Sequence, residues 1–447
     1  MVGLEMTMTV HTAEIRAHRL SGSTIVAVLL LSGIAARVEA SSSPADGLIV
    51  SPGQGWPQWR GPRRDGISDE KNLLATWPLG GPKLLWRIDG LGTGWSSPII
   101  VGERMYITGD VGDDLVVFAF DLAGKPIWRA KNGNAWKGPY PGARACCAWS
   151  EGRLYHMNAH GRVACLDAAT GNELWAVNIL EQFGGRNITW AVSECLLIDG
   201  DRVIVTPGGT KVLMAALDKR TGQTVWTTKP LDEDNASHSS PILFRYAGRR
   251  MIANCSSAHG FGVDADTGEL LWTVPLRNPH GVNVSTPVYD SGRVFFMTPY
   301  AEHGRQYRLQ PDGDTISAQH MWTSPVDAVT GGAVLVDGTL FAAGYRECKW
   351  WLGIDWQSGE TKCELKDLTT GSAIYADGRL YCLDERGAVA LLKPGAVGLE
   401  IVGRFQLVAG RVNDAWAHPV LLDGRLHLRY HDSLWCYDVQ AQRVCEK

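Results

Sequence analysis

Short stretches of alternating apolar and polar residues, each interrupted by a glycine, recur along nearly the whole chain. PIIVGERMYIT (98–108), LLIDGDRVIVT (196–206), VLVDGTLFAAG (334–344), AIYADGRLYCL (373–383) and VLLDGRLHLRY (420–430) are the clearest. Period-two alternation on both sides of a turn glycine predicts a β-hairpin. The glycines are Gly102, Gly152, Gly200, Gly248, Gly292, Gly338, Gly378 and Gly424, spaced 40 to 50 residues apart. A second hairpin follows in most intervals: LDAATGNELW (166–175), LDKRTGQTVW (217–226), VDADTGELLW (263–272), IDWQSGETKC (354–363) and the shorter FDLAGKPIW (120–128). Its Asp and Thr/Ser side chains can bond the turn's own backbone, and its Gly supplies the positive φ.

Two hairpins per interval make a four-stranded sheet every 45 residues or so, the signature of a propeller blade. The pattern therefore predicts an all-β fold, an eight-bladed β-propeller of four-stranded antiparallel blades over residues 91–447. The last blade is short of a strand, because few residues follow LWCYD (434–438). PKLLWRI (82–88) carries the missing outer-strand pattern ahead of the first blade. Residues 41–90 are thus expected to form an N-terminal arm and the strand that closes the ring, which removes the exposed sheet edges. The recurring Trp86, Trp128, Trp175, Trp226, Trp272 and Trp322 are read as wedges between blades.

Composition agrees with many short strands: 51 Gly and 18 Trp among 447 residues, with 20% charged. A net charge of −4 without a basic run argues against a nucleic-acid partner. Residues 1–40 read as a signal peptide, with Arg16 and Arg19 before the apolar TIVAVLLLSGIAA (24–36) and cleavage after Ala40. The expected location is periplasmic or secreted, without a membrane span. Of the ten cysteines, Cys348 and Cys363 are placed for a bond inside one blade, whereas Cys165, Cys195, Cys382 and Cys436 lie in apolar runs as small buried residues.

The Asp-x-x-Thr-Gly-x-x-x-Trp hairpins resemble the repeat of the pyrroloquinoline quinone (PQQ) propeller superfamily. That group includes quinoprotein alcohol dehydrogenases and a non-enzymatic propeller lipoprotein of the outer-membrane β-barrel assembly machinery. The resemblance covers about residues 82–447, and WPQWRGPRRDGIS (56–68) followed by PKLLW is similar to the start of bacterial PQQ-binding-like β-propeller repeat proteins. A dehydrogenase of this kind needs Ca²⁺ on hard oxygen ligands beside the quinone and a carboxylate base. No Asp/Glu/Asn cluster stands out for that purpose, and no metal site is expected. The resemblance also implies a role for Cys146-Cys147, since adjacent cysteines in those dehydrogenases form a bond that packs on the quinone. The other reading is two reduced thiols filling apolar space.

Function in a propeller concentrates on loops held at a channel mouth by the rigid ring. The loops leading into the innermost strands supply the candidate ligand-binding residues Trp95, Arg144, Cys146, Cys147, Trp190, Glu194, His238, Asn283, Trp416 and His418. Trp56, Trp59 and Arg60 are read instead as packing the arm across the ring. The expectation is a monomeric binding or scaffold propeller that takes a protein segment or small ligand at this mouth without a cofactor. The alternative is a PQQ-dependent alcohol dehydrogenase-type oxidoreductase using PQQ with Ca²⁺.

Overall fold

The computed structural model describes residues 45–51, 55–232, 234–330, 332–395 and 398–441, so the expected signal peptide lies outside the described residues. Eight antiparallel sheets follow one another in chain order, as the repeat pattern predicts. The blades span 99–134, 148–178, 197–227, 242–275, 288–324, 334–365, 371–406 and 420–438. Each turn glycine of the first hairpins adopts positive φ, from 57° at Gly102 to 79° at Gly378.

The second hairpins show why Asp-x-x-Thr-Gly recurs. Asp167 accepts hydrogen bonds from the backbone N–H groups of Ala169 (3.0 Å) and Thr170 (2.8 Å) and from the Thr170 hydroxyl (2.8 Å). Gly171 then turns at φ 77°, and a Cβ there would lie 2.6 Å from the Trp128 ring of the preceding blade. The same contact joins Trp86 to Gly124, Trp175 to Gly222, Trp226 to Gly268 and Trp322 to Gly359. Each of these indoles also donates its N–H to a carbonyl of the next blade, at 3.0 to 3.2 Å. The glycine is thus needed twice, for its dihedral angles and for the ring that covers it. Trp272 departs from the series. Blade five turns instead through Pro311–Thr315, so Trp272 packs on Gly262 of its own blade and its buried Nε1 has no partner among the described residues.

The ring closes as the sequence requires. Strand Lys83–Ile88 pairs antiparallel with Ser433–Asp438, setting Trp86 opposite Cys436. Beyond this, the arm does more than cross the ring. Residues 47–51 and 55–68 run along the inner strands and fill the channel. Gly47–Leu48 adds a fifth strand to blade four, on its innermost strand. Trp56 bridges Ile100 of blade one, and Pro57 accepts the N–H of Trp149 in blade two. Arg64 donates to the carbonyls of Cys195 and Leu196 at blade three. Trp59 reaches Thr286 at blade five, Arg60 the Ala333 carbonyl at blade six, and Ile67 bridges Tyr375 of blade seven. Ser68 donates to Leu421 of blade eight. Trp56, Gln58, Arg60 and Arg64 are all at most 3% exposed.

One expectation needs correction. Cys348 and Cys363 are both free thiols. They stand on opposite faces of one sheet, Cys348 with Trp322 and Trp356 toward blade five and Cys363 against the cluster shared with blade seven. No bond can pass through the sheet between them.

Candidate functional site

The strands are antiparallel, so loops leading into inner strands and loops joining second to third strands emerge at the same face. Together they enclose a cavity of about 400 Å³ at the channel mouth, floored by the arm. Trp59 is that floor, with its Nε1 bonded to Thr286 at 2.9 Å and its ring 4.3 Å from the His418 ring.

One wall comes from blades eight, one and two. Trp95 and Trp416 lie 5.3 Å apart at 31°, and Tyr140 meets Trp416 at 5.4 Å and 38°. The Trp95 indole donates to the Asp414 carbonyl, which fixes the pair. The Arg144 guanidinium sits 5.3 Å over Trp95 and is anchored by the Gly142 and Pro139 carbonyls. The facing wall comes from blades three to six. Trp190, His280, Tyr300 and Tyr345 follow one another edge to face, with Arg346 5.0 Å over Tyr345. Each wall therefore carries one guanidinium over aromatic faces.

His238 lines the floor, and its Nδ1 lies 3.1 Å from the Ser193 hydroxyl. Burial, helped by Arg144, pushes its imidazole down to about 4, so it is neutral at pH 7. Trp416 Nε1 and Thr330 Oγ1 are buried in this lining without a partner among the described residues. Tyr140 and Tyr300, which both line the cavity, hold φ of 53° and 65°, conformations costly for such residues.

The sequence-derived candidates divide. Trp95, Arg144, Trp190, His238 and Trp416 line the cavity. Cys146 and Cys147 are free thiols, each 1% exposed in the core between blades. Asn283 pins its own loop by donating to the Ser256 and Leu276 carbonyls. His418 is buried beneath Trp59, with its Nδ1 3.4 Å from Arg60. Glu194 points away, accepting from the Thr206 N–H and hydroxyl (2.8 Å each) and from Asn254 (3.2 Å). Tyr140, His280, Tyr300, Tyr345 and Arg346 were not singled out by sequence, and Trp59, read as packing the arm across the ring, also floors the cavity. Tyr300 and Tyr345 lie on second-to-third-strand loops, which carry no repeat signature.

Burial pushes the Glu194 carboxyl up to about 7, against the hydrogen bonds from Thr206. An acid whose pKa rises on folding stabilises fully below its unfolded value and loses that contribution as pH climbs to the folded one. Between pH 4.5 and 7 this residue should cost up to about 3 kcal/mol, a loss absent from E194Q. Urea unfolding of both proteins at pH 5 and pH 8 measures it. Parallel pH profiles would exclude the effect.

Residues 112–347 match the family model described as outer membrane protein assembly factor BamB. The chain belongs to this BamB family of PQQ-repeat propellers. Among curated relatives, BamB of Yersinia pestis is 22% identical over 264 residues, covering 55% of this chain and 62% of that protein. A 1-butanol dehydrogenase (quinone) of Thauera butanivorans is 30% identical over 141 residues, 29% of this chain and 22% of the enzyme. The chain thus spans about three fifths of one relative and about a fifth of the other. The solved quinohemoprotein alcohol dehydrogenase of Comamonas testosteroni superposes with a TM-score of 0.58 at 15% identity, covering 88% of this chain and 82% of that one. The BamB-family repeat is therefore shared by an assembly factor and by quinone-dependent dehydrogenases. It marks architecture, and chemistry has to be argued from the mouth.

Proposed function

We propose that the protein is a binding propeller, working outside the cytoplasm, that takes a ligand or a segment of a partner protein into the aromatic mouth. The cavity itself carries this reading. Its walls are rigid aromatic faces, two guanidiniums stand over them, and two buried polar atoms, Trp416 Nε1 and Thr330 Oγ1, await a hydrogen-bonding partner. The BamB match, which covers more of the chain than the dehydrogenase match, supports it.

The alternative oxidoreductase reading is favoured by one feature: aromatic faces with Arg144 and Arg346 suit the carboxylates of a planar quinone. The donor set does not suit the Ca²⁺ that would accompany it. No Asp or Glu is among the lining side chains, and no grouping of three His, Cys, Asp or Glu fit to hold a metal occurs among the described residues.

A photo-crosslinking residue at Tyr140, on the rim, should capture a partner in cells. R144A combined with W416A should reduce that capture at least tenfold while the melting temperature stays within a few degrees. Capture only from an outer-edge position such as Val225 would refute the assignment. So would micromolar PQQ binding with Ca²⁺ and alcohol-dependent dye reduction.

A further inference from the structure

Along the first four blades a row of side chains stands two residues ahead of the inner strands, and the backbone N–H at one blade donates to the side chain at the next. Ser97 N–H donates to Cys146 Sγ at 3.1 Å, Cys146 N–H to Cys195 Sγ at 3.2 Å, and Cys195 N–H to Ser240 Oγ at 2.9 Å. A hydroxyl suffices for the row, as Ser240 demonstrates. Two successive positions carry sulfur instead, and the Cys195 sulfur stands 3.2 Å from the Cys146 backbone nitrogen across the seam between blades two and three. Cys195 lines the mouth cavity, whereas Cys146 and Cys147 do not.

We propose that Cys195 and Cys146 are a redox-active dithiol, closed to an inter-blade disulfide by exchange with a disulfide-bearing small molecule or peptide that enters the mouth. Cys195 is the attacking group because it faces the cavity. Its neighbours favour the thiolate. Burial pushes the Cys195 thiol up, but hydrogen bonds from the Cys146 thiol and N–H, with the Arg64 guanidinium nearby, outweigh burial and hold it below the ordinary thiol value. The buried Cys146 thiol stays protonated, pushed well up. Glu194 and Cys147 are the other titratable groups close by.

In the first step the Cys195 sulfur bonds to one sulfur of the incoming disulfide, and the other leaves as a thiolate, which takes up the proton released from Cys195. Cys146 then attacks the Cys195 sulfur and the second thiolate departs, taking the Cys146 proton. The sum converts one protein dithiol and one disulfide into one protein disulfide and two thiols. Nothing else is oxidised or reduced. A bond between Cys146 and Cys147 would instead strain the peptide that joins them. This inference does not depend on the ligand assigned to the mouth.

The test uses the full chain, reduced and then treated under native conditions with 5,5′-dithiobis(2-nitrobenzoate). The expected result is release of two thionitrobenzoates per protein and a peptide map linking Cys146 to Cys195. C146S should stop at a stable mixed disulfide on Cys195, C195S should leave Cys146 unmodified, and C147S should behave as the unsubstituted chain. A Cys146–Cys147 link, or Cys195 recovered unmodified from folded protein, overturns the proposal. Should a variant fail to fold, the peptide map of the unsubstituted chain decides alone.

Discussion

Deleting residues 41–90 should leave a chain that no longer folds to a closed monomer but aggregates or assembles through its open blade. The segment supplies the outer strand of blade eight, paired along Ser433–Asp438, and the Trp86 wedge against blade one. It also supplies the channel filling. Trp56 in the channel and Trp77 against the outer strand of blade seven are 2% and 7% exposed, and losing one such side chain typically costs about 3–5 kcal/mol. Two of them, with the buried Arg60 and Arg64 and one whole strand, exceed the roughly 5–15 kcal/mol that separates folded from unfolded protein. Size-exclusion chromatography and thermal melting decide the matter. A truncated monomer with an unchanged melting temperature would show that the arm is dispensable.

The second large effect is expected at Arg429, a fully buried side chain that spans the seam between the last blade and the first. From blade eight it donates to the carbonyls of Ser96 (3.1 Å) and Thr108 (2.6 Å), the Ser96 hydroxyl (2.6 Å) and its own blade's His431 carbonyl (3.0 Å). R429A removes the charged donor from these buried acceptors, leaving the Thr108 carbonyl only the Ser96 hydroxyl, and opens a cavity beside them. The loss should be about 3–5 kcal/mol, in the range for breaking a buried charged network from one side. R429K keeps the charge but not the planar fork, and should recover only part of it. Urea midpoints at constant m-value measure both. A loss under about 1 kcal/mol for R429A would mean that water replaces the guanidinium.

The repeats were legible because each blade spends the same few residues on the same geometric problems. Positive φ at Gly102 and its seven counterparts, the self-bonded turn at Asp167 and the glycine beneath Trp128 leave fixed spacings that survive sequence drift. Ring closure was legible for the same reason, through a stray Trp86 where a strand was missing. The mouth was legible only in half. Trp95, Arg144, His238 and Trp416 each stand four residues ahead of an inner strand and Trp190 lies on the same kind of loop, while Tyr300, Tyr345 and Arg346 sit on loops whose lengths and residues obey no period. The arm was the hardest to read. Trp59 and Arg60 find their neighbours at positions 286 and 333, and nothing local in WPQWRGP specifies such distant partners. Spacing likewise brought Cys348 and Cys363 together in sequence, but the faces of the sheet keep them apart.

The channel-filling arm also fixes an order of events. Its binding surface is a composite of inner strands from all eight blades, the last of which ends at Asp438. The first structured residues to be synthesised are therefore the last that can find their places. Until then every partial ring presents an unpaired edge and an empty axle. The arm is therefore expected to dock only after the last blade exists, through contacts of long sequence separation such as Trp59 to Thr286 and Arg60 to Ala333.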